Sequence, residues 1–545
     1  MQPFGFRFFA NRSPSAVAVV DADGRKWARD ELLELVDRTA SALVAEGLER
    51  GDAVAIVAPN CAEFLAVHLA ALAAGLYVVP VNWHLAEPEI AYILGNSGAK
   101  AVFAHARLGA RRLAAIGWTA SLRIAVSFGD VAGFVPLERF SAAPARMPPQ
   151  RSRGRVLAYT SATTGVPKAV RLPLEGAGRA LAKTVAWHRS LGLELESGNV
   201  HLVSSMLYHA APLDGAVVAL EMGHVVVLMD GWDPETLLQT IAEREVTTAF
   251  MVPTMFVRLL KLPEHVRRRY RAASLKFVIH SAAPCPADVK RRMLEWWGPI
   301  IWESYGASEV QGCIASPAEW LERPGTVGRP IAGSKIKILD EHGCELPPGQ
   351  IGSVYLTPHT GDRFEYFGDA AKTAASRRGE FVTVGDRGYV DEGGYLFLVG
   401  RDSELIISSG MNIYPAEIEQ ALLAHPAITD CAVVGAPNAL CGEVPEAHVQ
   451  LAPGVAGGAQ LTDELLRFLA ERLSPMKLPR RIEYDAALPR DPNGKLLKRR
   501  LRTDVTDEGR DARGRATQAR AGMPAVEQCT EQLPRAVADG ARHGR

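Results

Sequence analysis

Short apolar runs rich in Val, Ile and Ala alternate with longer amphipathic or apolar stretches through the first 300 residues, roughly, of the chain. That alternation predicts strands at 53–58, 76–81, 101–104, 123–127, 201–205, 224–228, 248–252 and 277–281. Between them it predicts helices at 29–46, 61–74, 88–97, 234–244, 253–261 and 286–297. Strands that alternate with helices imply parallel sheets with helices on their faces. The stretch 64–81 is almost wholly apolar and approaches the ~20 residues that span a bilayer. His68, Gly75 and Pro80 interrupt it, and its texture changes midway, so it divides into a buried helix and a buried strand. Near Thr326 short strands separated by Gly and Pro turns begin, at 335–340 and 352–357. Beyond Arg401 a compact βαβ-like region with helices at 415–424 and 462–473 runs to about residue 498. The last stretch has few large apolar residues and mixed charges, and reads as a disordered extension.

The fold class expected is therefore α/β. A large N-terminal domain (1–400) would hold mixed and parallel sheets flanked by helices, with a β-rich subdomain. A small mobile α+β C-terminal domain (401–502) and a tail (503–545) would follow. A chain of 545 residues exceeds one ordinary core, which agrees with two or more domains. Composition removes several function classes. Lys plus Arg equal Asp plus Glu, 61 against 61, so no global field points to nucleic acid or an anionic membrane. Seven scattered cysteines without metal-like spacing fit a reducing compartment and mostly buried thiols. The N-terminal residues carry no signal-peptide apolar region, so a cytoplasmic location is expected.

Candidate chemistry gathers in five places. Residues 159–168 read Tyr-Thr-Ser-Ala-Thr-Thr-Gly-Val-Pro-Lys between two short strands. Hydroxyls, free backbone N–H groups and a lysine on one turn suit polyphosphate oxygens, and this is not the Gly-Lys-Ser/Thr pattern that opens a helix. Residues 302–309, Trp-Glu-Ser-Tyr-Gly-Ala-Ser-Glu, offer an aromatic face for a base and a carboxylate for a hard cation. Asp386 sits on a glycine turn (383–388), where it can accept two hydrogen bonds from a diol; a plain turn aspartate would look the same. Residues 400–419 combine a charged joint, a buried strand, a glycine turn at Gly410 and a helix opened by Pro415. Lys495 follows a Pro-Asn-Gly turn that would display it at a loop tip.

In this order and spacing the five resemble the acyl-adenylate-forming ligases: acyl-CoA synthetases, beetle luciferases and the adenylation domains of peptide synthetases. The resemblance extends over about residues 7–502 and is nearest to bacterial fatty-, aryl- and steroid-acid CoA ligases. It implies activation of a carboxylic acid by MgATP to acyl-AMP and pyrophosphate, followed by transfer of the acyl group to coenzyme A. In that scheme Lys495 bridges carboxylate and α-phosphate, Ser308 contacts the α-phosphate, and Glu309 holds Mg²⁺. Thr160, Ser161, Thr163, Thr164, Gly165 and Lys168 embrace the departing pyrophosphate. Asp386 and Arg401 take the ribose, and the segments Ser281, Ala282, Ala283 and Glu303, Ser304, Tyr305 form adenine walls. His209 lies between nucleotide and acyl pocket, and Gly410 lies beside a pantetheine tunnel once the small domain has swivelled about a hinge at 401–403. Two positions depart from the family pattern: Ala162 replaces a glycine in the phosphate loop, and Ser403 stands where Asp or Lys is usual.

The small and aliphatic residues after His209 favour a fatty or otherwise bulky hydrophobic acid, with Asp214 as the one residue able to grip an ammonium group. Partners are then the acid, ATP and CoA, with no nucleic acid and no integral membrane span; peripheral membrane contact and a homodimer are compatible. The rival readings are a fatty-acyl-AMP ligase that delivers to a carrier protein, a luciferase-like oxygenase, and a catalytically weak ligand-binding relative suggested by Ala162. No insertion of the kind that blocks swivelling is visible between 352 and 400, which favours CoA.

Overall fold

A computed structural model describes residues 3–501 except 110–112, 115, 117–120, 146–152, 161–166, 197, 359–362, 410, 439 and 491–495. Its largest sheet has nine strands. Six of these, Val17–Val20, Val225–Leu228, Val200–Val203, Thr248–Met251, Phe277–His280 and Ile301–Gly306, run parallel in that spatial order. Antiparallel strands close both edges. A second, all-parallel sheet is built on Ala53–Val57, Tyr77–Pro80, Ala101–His105 and Ile124–Phe128 with two short edge strands.

The helices Arg29–Ala45 and Ala62–Ala73 lie between the two sheets, and one apolar core holds side chains from both helices and both sheets. Ala62–Ala73 is apolar nearly all round because sheet or helix covers it on every side. The apolar stretch 64–81 accordingly divides as its texture predicts, into this helix and the strand Tyr77–Pro80. Among the described residues no helix is long and apolar enough to cross a membrane. The predicted strands and helices of the first 300 residues, roughly, are present with bounds shifted by one or two residues. Asp233 shows why one of them starts where it does: its Oδ1 accepts from Glu235 N and Thr236 N, and Pro234 fills the first helical position.

The β-rich part contains a three-stranded sheet of Ala158–Thr160, Lys168–Arg171 and Glu365–Tyr366, and a six-stranded sheet including Gly352–Leu356, Asp386–Val390 and Leu396–Arg401. The C-terminal domain has its own core and five-stranded sheet. Within it, the strands Gly442–Leu451 and Arg481–Tyr484 run parallel across the helix Ala459–Ala470, a βαβ unit as expected. The expected disordered tail lies outside the described residues. Four of the five described free thiols, Cys61, Cys285, Cys313 and Cys431, are buried, and burial pushes each of them up.

Candidate active site

The parallel strands of the nine-stranded sheet deliver the candidate residues at their carboxyl ends. Ser281, Ala282 and Ala283 follow Phe277–His280, while Ser304 and Tyr305 end Ile301–Gly306. Ser281 Oγ donates to Ser304 O at 2.7 Å, which ties the two expected adenine walls together. Ala282 has φ +74°, a left-handed conformation that costs a residue with a Cβ.

Glu303 departs from the expectation for its segment. Its side chain points into the core, 2.7 Å from the fully buried Lys290 Nζ and 3.4 Å from His280 Nε2. Strand alternation causes this, since Ser304 then faces the opposite way. Glu303 is thus no wall for a ligand through its side chain; only its backbone borders the segment. Burial would raise its pKa, yet His280 and Lys290 hold it below the usual value. Burial in turn lowers both His280 and Lys290 against the pull of Glu303.

Ser308 and Glu309 occupy a turn closed by Ala307 N to Val310 O at 2.8 Å. Glu309 is buried, and its Oε1 accepts from Tyr366 Oη at 2.9 Å. Tyr366 pairs with Val170 across the three-stranded sheet, and Lys168 Nζ lies 6.0 Å from its ring. The strands flanking the hydroxyl-rich loop therefore meet the Glu309 turn. Tyr366 belongs to none of the five sequence patterns, and nothing in its surroundings along the chain marks it. Burial first, then Glu309, raises its phenol.

Asp386 is buried at the start of its strand and directly opposite Arg401 in antiparallel register. Arg401 Nε donates to Oδ1 at 2.8 Å, and Tyr305 Oη donates to Oδ2 at 2.7 Å. Gly385, at φ +83°, makes the turn that presents Asp386, with Thr383 Oγ1 accepting from Gly385 N. Two of the predicted residues, Tyr305 and Arg401, so share the carboxylate of a third, Asp386, though the three are separated along the chain. Burial and then the Asp386 charge push the Tyr305 phenol up.

His209 caps the helix Ala210–Glu221, its ring 4.6 Å from that of Tyr208. The backbone of Thr160 ends the strand Ala158–Thr160. Ser161, Ala162, Thr163, Thr164, Gly165, Gly410 and Lys495 lie outside the described residues. The chain on either side of the Lys495 loop is joined by a bridge between Arg490 and Leu496 and by Leu497 N to Pro489 O at 2.8 Å. Just beyond, Lys498 Nζ is 2.8 Å from both Glu404, in the short turn of helix after Arg401, and Glu419.

A model of the AMP-binding enzyme family matches residues 6–359, and a model of the AMP-binding enzyme C-terminal domain matches 417–495. A fatty acid–acyl-carrier-protein ligase, ScoC of Streptomyces coeruleorubidus, is 30% identical over 503 residues, 91% of this chain and 94% of that one. A feruloyl-CoA synthase of an Amycolatopsis species is 32% identical over 502 residues, 90% of this chain and 96% of that one. The structure of o-succinylbenzoate CoA synthetase from Bacillus subtilis, in complex with its acyl-adenylate, superposes with a TM-score of 0.75 at 27% identity, covering 92% of this chain and 98% of that one. With a carboxylate held by a tyrosine and an arginine, a second one beside the strands that flank the hydroxyl-rich segment, and relatives matched over nearly their full length, the chain belongs to the AMP-binding enzyme family and is an ATP-dependent, AMP-forming ligase.

Proposed function

We propose that the protein activates a hydrophobic carboxylic acid with ATP, giving acyl-AMP and pyrophosphate, and then transfers the acyl group to coenzyme A. The observation that supports this best is the hydrogen bond from Tyr366 to Glu309, with Lys168 Nζ 6.0 Å from the Tyr366 ring, together with Asp386 held by Tyr305 and Arg401. A carboxylate cannot be attacked directly by a thiol at neutral pH, because oxide would have to leave. Exchanging that oxide for AMP removes the obstacle. The first step then brings two anions together, so catalysis is chiefly charge neutralisation and positioning.

Glu309 fits a Mg²⁺ site: it is a buried carboxylate that accepts a hydrogen bond from a neutral phenol, and it makes no ion pair among the described residues. Mg²⁺ bound there would neutralise phosphate charge. Asp386 would receive the ribose diol while Tyr305 and Arg401 hold it in place. Ser304, Tyr305 and the 281–283 segment would border the base. Ser308 would contact the α-phosphate, and Thr160, Ser161, Thr163, Thr164, Gly165 and Lys168 the pyrophosphate. Lys495 would bridge carboxylate and α-phosphate, His209 would stand between nucleotide and acid, and Gly410 would border the thiol's path. A domain junction at 400–401 would let the C-terminal domain turn between the two steps.

A carrier-protein thiol as the acceptor is the second reading, supported by the relative ScoC. The test supplies a panel of acids with MgATP and either CoA or a phosphopantetheinylated carrier protein. AMP and acyl-CoA are the expected products. Accumulation of ADP would refute adenylation, and acyl transfer to the carrier alone would refute CoA as acceptor.

A further inference from the structure

We infer that Asn60 is a positioning residue for the ligase reaction: its amide, reaching in from the second sheet, fixes the buried turn that ends at His209 and so sets where that imidazole stands. The inference rests on the adenylating function above, in which His209 lies between nucleotide and acid. Asn60 stands in the turn between the strand Ala53–Val57 and the helix Ala62–Ala73, with 4% of its surface exposed. That turn is itself anchored, since Ala62 N donates to Asp21 Oδ2 at 2.9 Å at the start of the helix.

The strands Val200–Val203 and Val225–Leu228 run side by side as far as a rung from Met229 N to Val203 O at 3.0 Å. Beyond it the chain leaves the ladder: residues 204–208 are buried and belong to no strand or helix. Buried backbone groups outside a ladder need partners from side chains or water. Asn60 is such a partner. Its Nδ2 donates to Ser205 O at 2.9 Å and to Met229 O at 2.8 Å, and its Oδ1 accepts from Leu207 N at 2.8 Å. A primary amide carries two donors beside its acceptor, so it serves both carbonyls and the N–H at once.

Those contacts grip the turn on both sides of Met206. His209 N closes it by donating to Met206 O at 3.1 Å, and His209 then caps the helix Ala210–Glu221. Tyr208 reaches the second sheet as well, its Oη 3.3 Å from Nδ1 of His84, which follows the strand Tyr77–Pro80. His209 Nε2 is buried. Without the amide, two carbonyls and an N–H would have to find water or move, and the imidazole two residues beyond Leu207 would move with them. Aspartate, of the same shape, fails differently. It keeps the acceptor for Leu207 N but turns a carboxylate oxygen, in place of the amide NH₂, toward the two carbonyls.

The test has two readouts. Carbethoxylation of histidines by diethyl pyrocarbonate, followed by mass spectrometry, reports the exposure of His209 without any turnover; His342, whose side chain is 78% exposed, is the internal standard. Asn60→Ala should raise the His209 rate about tenfold or more against His342. Acid-dependent ATP–pyrophosphate exchange is the second readout. Its kcat should fall roughly ten- to hundredfold while the KM for MgATP stays within about twofold, which also reports that the variant is folded. In a His209→Ala background the same Asn60→Ala change should cost no more than about threefold, because the group it acts through is gone. Where the alanine variant does not fold, Asn60→Asp serves: its defect should shrink from about pH 8 to about pH 6, as protonation of the buried carboxyl restores one donor. An unchanged His209 rate, losses that multiply in the double variant, or a KM for MgATP that rises as kcat falls overturns the assignment. Exchange absent from the wild type with every acid would count against adenylation instead, and the carbethoxylation rates would still decide the role of Asn60.

Discussion

Replacing Lys290 by Met removes the cation from a carboxylate that the fold has placed inside a core. Lys290 is 0% exposed and Glu303 6%, and their charged atoms are 2.7 Å apart. Lys290 Nζ also lies 4.8 Å from the Trp320 ring. Without the ammonium, Glu303 keeps His280 at 3.4 Å as a neighbour, and burial works against charging that imidazole. Breaking a buried pair on one side costs about 3–5 kcal/mol, a large share of the ~5–15 kcal/mol that holds a typical domain. Removing both charges behaves differently, because no unpaired ion remains: Lys290→Met with Glu303→Leu should recover most of the loss. The assay is urea unfolding at pH 7 of the wild type, both single variants and the double, read by circular dichroism. The pH dependence has a sign. In the wild type Glu303 is held below the ordinary carboxylate value of 4.5, so its contribution is present above that pH and lost as pH falls through the lower, folded value. In Lys290→Met, burial without a cation should lift Glu303 above 4.5, so the deficit against wild type should shrink as the solution is acidified. A single variant within ~1 kcal/mol of wild type, or a double variant weaker than either single, would refute the reasoning.

Three further outcomes follow from the geometry. Tyr366→Phe takes the donor from Glu309 and should raise the KM for MgATP about tenfold, the scale of one hydrogen bond to a charged group, with the KM for the acid unchanged; equal changes in both would contradict it. Ala282→Gly should relieve the left-handed strain and raise the thermal unfolding midpoint by up to ~1 kcal/mol in stability, whereas Ala282→Val should lower it; a lower midpoint for the glycine variant would exclude strain at this residue. His448 lies 2.8 Å from Asp485 and 3.2 Å from Glu446, which raise its pKa against the opposing effect of burial. Its contribution to the C-terminal domain should be complete below pH 6.5 and fade as pH rises through the higher, folded value. Hydrogen exchange in that domain should show this, and His448→Gln should flatten the profile.

What was legible along the chain was whatever repeats with a period or clusters in a turn. Runs such as Ala53–Val57 and Thr248–Met251 announce buried parallel strands, and Asp233 with Pro234 announces a helix start. The helix Ala210–Glu221 was not foreseen, since its apolar residues show little periodicity and it contains Pro212 and Gly215. Pro212 is tolerated because it falls in the first turn, where the N–H has no intrahelical partner. The helix Ala177–Ser190 and the short helix Phe6–Arg12 were likewise absent from the expectation. Asp386, Arg401 and Glu309 were identified by their motifs, but the partners that hold them come from register and sheet order, which local pattern does not encode. Lys290 stands in a Lys-Arg-Arg run that looks like a solvated helix face, yet the first of the three faces inward. Ala162, which departs from the family pattern, falls outside the described residues, whereas Ala282, expected only as part of an adenine wall, carries a positive φ that nothing in the sequence marks.

The residues proposed to hold the nucleotide come from three separate sheets, and this bears on how the chain can be cut. The larger family match ends at residue 359, while Tyr366, Asp386 and Arg401 all lie beyond it. A fragment ending at 359 keeps Lys168, Ser308 and Glu309 but discards the phenol on Glu309 and the carboxylate that joins Tyr305 to Arg401. On the proposed function, nucleotide binding and assembly of the three sheets form one linked equilibrium. In the intact chain, ATP at a hundred times its Kd should add about 2.7 kcal/mol against unfolding and slow proteolysis between the sheets. In the fragment, the same nucleotide concentration should protect nothing.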